Sequence, residues 1–137
     1  MAQKESKKKR KTKKILKENR ISKDQRWIFS PVSWRVYDGD TILDLVLDLG
    51  FGVRIEIKTR LLGINAPEVR GPEKKKGLET KLFLGHAMDE AFLRKSLRVE
   101  SHNKSGKFGR WLVTVWDGDV NLNELMVKNG LAEFKDY

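Results

Sequence analysis

The sequence predicts an α+β fold, mainly β: a partly open five-stranded barrel with one helix between its third and fourth strands and a second helix near the end. Three observations predict it. Apolar and polar residues alternate from Val32 to Lys58, the period-two signature of strands with one wet face. The period turns helical from Gly77 to about Arg94. Two further strand patterns and a short helical one follow, with Asp-Gly turn dipeptides at 38–39 and 117–118.

The first strand rests on Val32, Trp34 and Val36. The second runs from Thr41 to Leu49, with Leu43, Leu45, Leu47 and Leu49 on one face and Asp44 and Asp48 on the other. Gly50-Phe51-Gly52 breaks it. The third strand turns Val53, Ile55 and Ile57 inward and Arg54, Glu56 and Lys58 outward. Residues 65–76 read as loop, because Pro67, Gly71 and Pro72 each oppose helix. In the first helix Leu78, Leu82, Gly85, Met88 and Phe92 form one stripe. Arg98–Ser101 and Phe108–Trp116 are the last two strands, separated by a turn at Asn103–Gly106. Leu122, Leu125, Met126 and Asn129 mark the final helix, with Gly130 as its C-terminal cap. Three strands, a helix, two strands and a helix is the order of an OB-fold. Trp27, Trp34, Trp111 and Trp116 all lie in strand patterns and read as core.

The chain has 137 residues, enough for one domain with a core and one tail. It has no cysteine, which excludes a disulfide framework and a thiolate metal site. No apolar run reaches membrane-spanning length. The basic N-terminus lacks the apolar stretch of a secretory signal, so an intracellular, cytoplasmic protein is expected. Lys7-Lys8-Lys9-Arg10-Lys11 offers a nuclear address as the alternative.

The net charge of +10 is unevenly spread. Residues 1–26 hold twelve Lys/Arg against three Asp/Glu; residues 27–137 hold seventeen against sixteen. The expected organisation is a disordered basic tail, 1–26, and a nearly neutral folded domain, 27–137. A tail of that sign attracts polyanions, and Lys7, Lys8, Lys9, Arg10, Lys11, Lys13 and Lys14 are its candidate nucleic-acid contacts. A solubilising arm is the bland alternative.

Chemistry concentrates in three stretches: Asp38-Gly39-Asp40-Thr41, then Arg60 to Glu68, then Lys107-Phe108-Gly109-Arg110. Two aspartates across a glycine turn are hard oxygen donors of the kind Ca²⁺ and Mg²⁺ take. Asp-Gly-Asp is equally a plain hairpin turn, and Asp117-Gly118-Asp119 repeats it with no chemistry assigned. Arg60 and Arg110 can decorate strands, Asn65 can close a turn, and Glu68 can be a solvated carboxylate. His86 and His102 lack partners at metal spacing and read as structural or surface residues.

The joint pattern of Asp-Gly-Asp-Thr, Arg-Leu-Leu-Gly-Ile-Asn-Ala-Pro-Glu and Lys-Phe-Gly-Arg, in that order, resembles the staphylococcal nuclease (thermonuclease-like) family. The resemblance covers about Val32 to Glu133 and none of the tail. It implies a thermonuclease-like OB-fold and an endonuclease: a metal-dependent phosphodiesterase acting on DNA, and on RNA as a second substrate, with little sequence preference. By resemblance Asp40 is a metal ligand, with Asp38 and Thr41 supporting it. Asn65 stands where the family has a second carboxylate ligand, and the Ala66 backbone carbonyl matches another ligand. Glu68 matches the carboxylate that positions or deprotonates the attacking water. Arg60 and Arg110 match the two guanidinium groups on the scissile phosphate. Ca²⁺ is the implied cofactor, with Mg²⁺ or Mn²⁺ as alternatives.

Three departures follow. Asn65 keeps an oxygen donor and loses a charge. Phe108 stands where the family often has tyrosine, which removes one hydroxyl contact to phosphate. The family's usual C-terminal helix and its substrate-facing tyrosine fall beyond Tyr137. The expected partner is nucleic acid, with no membrane, and the chain is expected to act as a monomer. The competing reading is a catalytically weak nucleic-acid-binding OB module, with Asn65 as its lesion; a basic partner-binding scaffold is a remote third.

Overall fold

The computed structural model describes residues 25–136. The tail readings at 1–24, including its lysine contacts and its disorder, lie outside the described residues. In chain order the elements are β1 (Trp27–Asp38), β2 (Thr41–Asp48), β3 (Arg54–Leu61), β4 (Ile64–Asn65), α1 (Lys74–Leu93), β5 (Leu97–Ser105), β6 (Trp111–Asp117), β7 (Val120–Asn121), α2 (Leu122–Lys128) and β8 (Glu133–Phe134).

Strands pair in the order β3-β2-β1-β5-β6, and β3 also pairs with β6. The barrel is therefore closed rather than partly open. Thr59, Arg60 and Leu61 run parallel to Trp111, Leu112 and Val113 and close the ring. Closure leaves these stretches no free edge. Ile42, Leu45, Leu61, Val99, Val113 and Val115 fill the interior with Leu84 and Met88 of α1 and Leu122 and Met126 of α2.

Strict alternation fails in β2. Ile42 is fully buried, although it is out of phase with the expected inward positions, and Leu49 is exposed. Asp44 has φ of 50°, and the pairing with β3 slips a residue between Ile42 and Leu45. This bulge turns the strand's face over, so Ile42 and Leu45 both point inward. In β3 the expected inward phase holds from Ile57 to Leu61, but Val53 and Ile55 are exposed, because the hairpin runs out past the barrel.

The buried face of α1 is Gly77, Thr80, Leu84, Met88 and Ala91, which shares only Met88 with the expected stripe. Leu78 and Leu82 are exposed, and Phe92 is half-open, edge-on to Trp34. The cause is close packing. A Cβ at Gly77 would collide with the Glu68 carbonyl, and one at Gly39 would collide with Thr80. A helix this close to backbone must present small residues, which carry little hydropathy to reveal the face. The helix also starts at Lys74, after a 3₁₀ turn at Gly71–Glu73, so the segment expected as loop is partly helical.

β5 continues to Ser105, and residues 107–109 form a single 3₁₀ turn before β6. Phe108 is thus a loop residue, with φ of 62° and its side chain exposed, rather than the start of a strand. The α2 cap is as expected: Gly130 has φ of 70°, and the Leu131 N–H donates to Met126 O at 2.9 Å. None of the four tryptophans is fully buried. Trp34 packs on the edge of the core, and Trp116 donates Nε1–H to Glu100. No described helix is long and apolar enough to cross a membrane.

Candidate active site

The β1–β2 turn is built from its own carboxylates. The Asp40 N–H donates to Asp38 Oδ1 at 3.0 Å, which folds the turn back on itself. Behind it, Gly39 lies against Thr80 of α1 and Ala66, so α1 braces the turn. Thr41 then pairs with Arg60 across β2 and β3, which brings the first and second motifs side by side.

Asp40 is engaged through both oxygens. Oδ1 lies 2.6 Å from Nη1 of Arg60 and accepts from the Thr41 hydroxyl at 3.0 Å. Oδ2 accepts from the Ala66 N–H at 2.8 Å. Nη2 of Arg60 donates to Asn65 Oδ1 at 3.1 Å and reaches Ile64 O at 3.3 Å. From the other side, Nη1 of Arg110 donates to the Thr41 hydroxyl at 3.2 Å, and its Nε to Lys107 O at 3.2 Å. The Arg110 guanidinium lies over the Phe108 ring, 5.7 Å from its centroid. Arg110, Thr41, Asp40, Arg60 and Asn65 therefore form one continuous polar chain.

The two carboxyls of the turn behave differently. Burial, then the hydrogen bond and repulsion from Asp40, push Asp38 up to about 7. Burial also works against the charge on Asp40. Its hydrogen bonds from Asp38 and the Ala66 N–H, the Arg60 charge and the Thr41 hydroxyl outweigh that and hold it below the usual carboxylate range. The pair thus keeps one firm negative charge at Asp40.

Asp38, Asp40, Thr41, Arg60, Glu68 and Arg110 all line one cleft of ≈ 830 Å³. Glu68 is exposed on its wall; its N–H donates to Glu73 Oε2 at 3.1 Å, and its carbonyl abuts Gly77. The sequence reading gave no role to Lys58, Lys107, Lys135 or Tyr37, which also line this cleft. Lys58 was findable: it lies two residues before Arg60 and so shares its strand face. Lys135 comes from the segment after α2, and only the β4–β8 pairing, with the Lys135 N–H on Gly63 O, carries it there. Five cations surround three carboxyls, a balance that suits a polyanion.

Asn65 and Ala66 line a neighbouring cavity of ≈ 330 Å³ instead. They meet Asp40 through the Arg60 guanidinium and the Ala66 N–H. Among the described residues, no group of three or more His, Cys, Asp or Glu is arranged to hold a metal. The donors present, two adjacent buried carboxyls and a hydroxyl, are still of the class a hard divalent cation takes.

The second Asp-Gly-Asp has a purely structural setting. Asp117 accepts from Ser96 at 2.6 Å and pairs with Arg94. His102 hydrogen-bonds Thr114, and burial lowers its pKa; His86 is exposed.

A closed OB-type barrel carrying two arginines and three carboxyls in one basic cleft is of the class suited to binding or cleaving nucleic acid. The chain belongs to the staphylococcal nuclease homologue family, whose model matches residues 58–137. No curated protein matches the chain. The matched stretch contains Arg60, Glu68 and Arg110; the Asp38–Thr41 turn lies outside it and joins the site through its contacts with Arg60 and Arg110.

Proposed function

We propose that this chain is a metal-dependent endonuclease, hydrolysing phosphodiester bonds of DNA, and of RNA as a second substrate, with little sequence preference. The observation that carries this is the linkage of Arg60 and Arg110 through Asp40 and Thr41, in a cleft that also holds Glu68. Attack of water on a phosphodiester gathers negative charge on the phosphate oxygens. Two planar guanidinium forks flanking Thr41 suit that charge better than lysines would. A phosphate entering the cleft competes with Asp40 for Arg60 and with Thr41 for Arg110. Glu68 reaches the same cleft from the α1 side, where it positions or deprotonates the water. Asp40 would hold the cation, with Asp38 and Thr41 in support and Asn65 and the Ala66 carbonyl following the family pattern. A bound divalent ion, Ca²⁺ by family resemblance, would neutralise developing charge on the phosphate. By the same resemblance the 5′ oxygen leaves and 3′-phosphate ends remain.

The second reading is a nucleic-acid-binding OB module. Among the described residues, no third acidic side chain joins Asp38 and Asp40 in a metal-holding group, which favours it. Intact Arg60, Glu68 and Arg110 argue against it. The deciding experiment incubates plasmid and RNA with the protein in Ca²⁺, Mg²⁺, Mn²⁺ or chelator. Cleavage that needs one of the metals supports the nuclease. Retained binding with no cleavage under any condition leaves the binding module.

A further inference from the structure

The β2–β3 hairpin lines the cleft with Thr41, Leu43, Lys58 and Arg60, but its tip and the stretch Arg54–Glu56 take no part in it. β3 pairs with β2 from Arg54 to Arg60 but with β6 only from Thr59 to Leu61. No described strand covers the other edge of Arg54–Lys58. The Leu49 N–H donates to Val53 O at 2.9 Å, which sets the parity of the ladder. Val53, Ile55 and Ile57 turn their backbone groups toward β2, so Arg54, Glu56 and Lys58 direct theirs to the open edge. Neither a proline nor a register shift guards the stretch 54–56. Beside it the hairpin exposes Leu49, Phe51, Val53 and Ile55, at 37%, 105%, 51% and 43%. An open ladder edge next to an apolar tip asks for a partner strand.

The charges identify that strand. We propose that the chain forms a two-fold dimer by antiparallel pairing of β3 with β3 of a second copy, centred on Ile55, in place of the monomer expected from the sequence. In this register Arg54 of each copy faces Glu56 of the other, and Val53 faces Ile57. The directly opposed residues 54 and 56 are those whose backbone groups point to the open edge, so the ladder hydrogen bonds form. The neighbouring register, centred on Glu56, sets Glu56 against Glu56 and Arg54 against Lys58, and like charges directly opposite destabilise a pair. A two-fold contact needs a patch complementary to itself, and of these two registers the first is. Surface ion pairs contribute little alone. Backbone pairing and apolar burial drive the association here, and the charges select the register.

One consequence rests on the nuclease reading, although the dimer itself does not. Arg60 lies five residues beyond Ile55 in the same strand. At a rise of about 3.3 Å per residue, the two Arg60 positions fall roughly 33 Å apart along the paired strands, close to one turn of duplex DNA. The dimer would offer two clefts at about that spacing.

Sedimentation velocity of the full chain at physiological salt, from micromolar to millimolar protein, tests the dimer without any appeal to activity. A concentration-dependent dimer is expected. Glu56→Arg or Arg54→Glu alone should raise its dissociation constant at least about tenfold, since each sets like charges opposite at both contacts. The double exchange Arg54→Glu with Glu56→Arg recreates the complementarity and should restore it. All three changes are at exposed positions, and circular dichroism verifies that each variant is folded. A wild-type chain that stays monomeric throughout overturns the proposal, as does a dimer indifferent to the single reversals. Dimerisation without nuclease activity would sink the nuclease reading and leave the dimer standing.

Discussion

Nη1 of Arg60 lies 2.6 Å from Oδ1 of Asp40, and both side chains are almost wholly withdrawn from water. The guanidinium thus already holds the carboxylate oxygen that a metal would take. On the proposed reading, Arg60 and a cation would compete for Asp40 in the free protein. Arg60→Ala should then tighten Ca²⁺ binding severalfold in the absence of nucleic acid, while lowering cleavage by roughly 10²–10³. Calorimetric titration paired with a cleavage assay reads both. Weaker metal binding in the variant would show that Arg60 does not compete at Asp40.

By the resemblance Asn65 stands where the family has a carboxylate, and its carboxamide oxygen accepts from Arg60. Asn65→Asp adds a carboxylate on the same Arg60 guanidinium that holds Asp40. The expected result is higher Ca²⁺ affinity in the free protein and half-maximal cleavage at lower metal concentration. Identical affinities and identical metal dependence would place Asn65 outside the coordination shell.

Gly77 is the point where α1 touches the Glu68 loop, and a Cβ there meets the Glu68 carbonyl. Gly77→Ala should cost about 1–3 kcal/mol in stability and displace Glu68. On the proposed reading, in which Glu68 acts on water rather than on binding, the kcat should fall more than the KM rises. Thermal melts and steady-state kinetics measure the two effects. A variant with native stability and kcat would contradict the close packing.

Deleting residues 1–24 removes eleven lysines and arginines. DNA affinity should fall, and its dependence on salt should flatten, since about 0.9 counterions are released per phosphate neutralised. Cleavage of short substrates should persist. Fluorescence anisotropy across a salt series checks this, and an unchanged slope would mean that the tail does not contact the phosphates.

Glu100 links the start of β1 to β6: it takes both Nε and Nη2 of Arg26 at 2.9 Å, and Trp116 Nε1–H at 2.9 Å. The hydrogen bond from Arg26 lowers its pKa first, burial opposes, and Trp116 and the Arg26 charge add to the lowering. A depressed carboxyl stabilises the fold above its unfolded pKa and loses that contribution as pH falls through the folded value. Glu100→Gln should therefore cost about 1 kcal/mol near neutral pH, given that Arg26 is exposed. Urea melts should show the gap closing in acid, below the usual carboxylate range. A gap independent of pH would mean that charge plays no part.

The pattern of elements, the barrel class and the family were legible in the sequence, because each rests on local signals. Alternation marks strands, the Asp38-Gly39 dipeptide marks a hairpin, Gly130 marks a helix end, and the three motifs keep their order along the chain. Asp40, Arg60, Glu68 and Arg110 could be named as candidates from residue type and motif alone. Whether they shared a cleft depended on the Thr41–Arg60 register and on the β3–β6 pairing that brings Arg110 to Thr41.

Other features had no local signal. The bulge at Asp44 moved Ile42 into the core, and a one-residue insertion leaves no mark on an alternating pattern until a partner strand sets the register. The buried face of α1 went to Gly77, Thr80 and Ala91, because closeness to the barrel selected size over hydropathy. Asn65 met Arg60, and the open edge of Arg54–Lys58 arose where β6 stops covering β3. The amino-acid sequence by itself determined which residues could do chemistry and which segments would be strand or helix, since propensity and periodicity act over a few neighbours. Tertiary structure alone decided which of those residues meet, because pairing register and close packing are set by contacts between segments far apart in the chain.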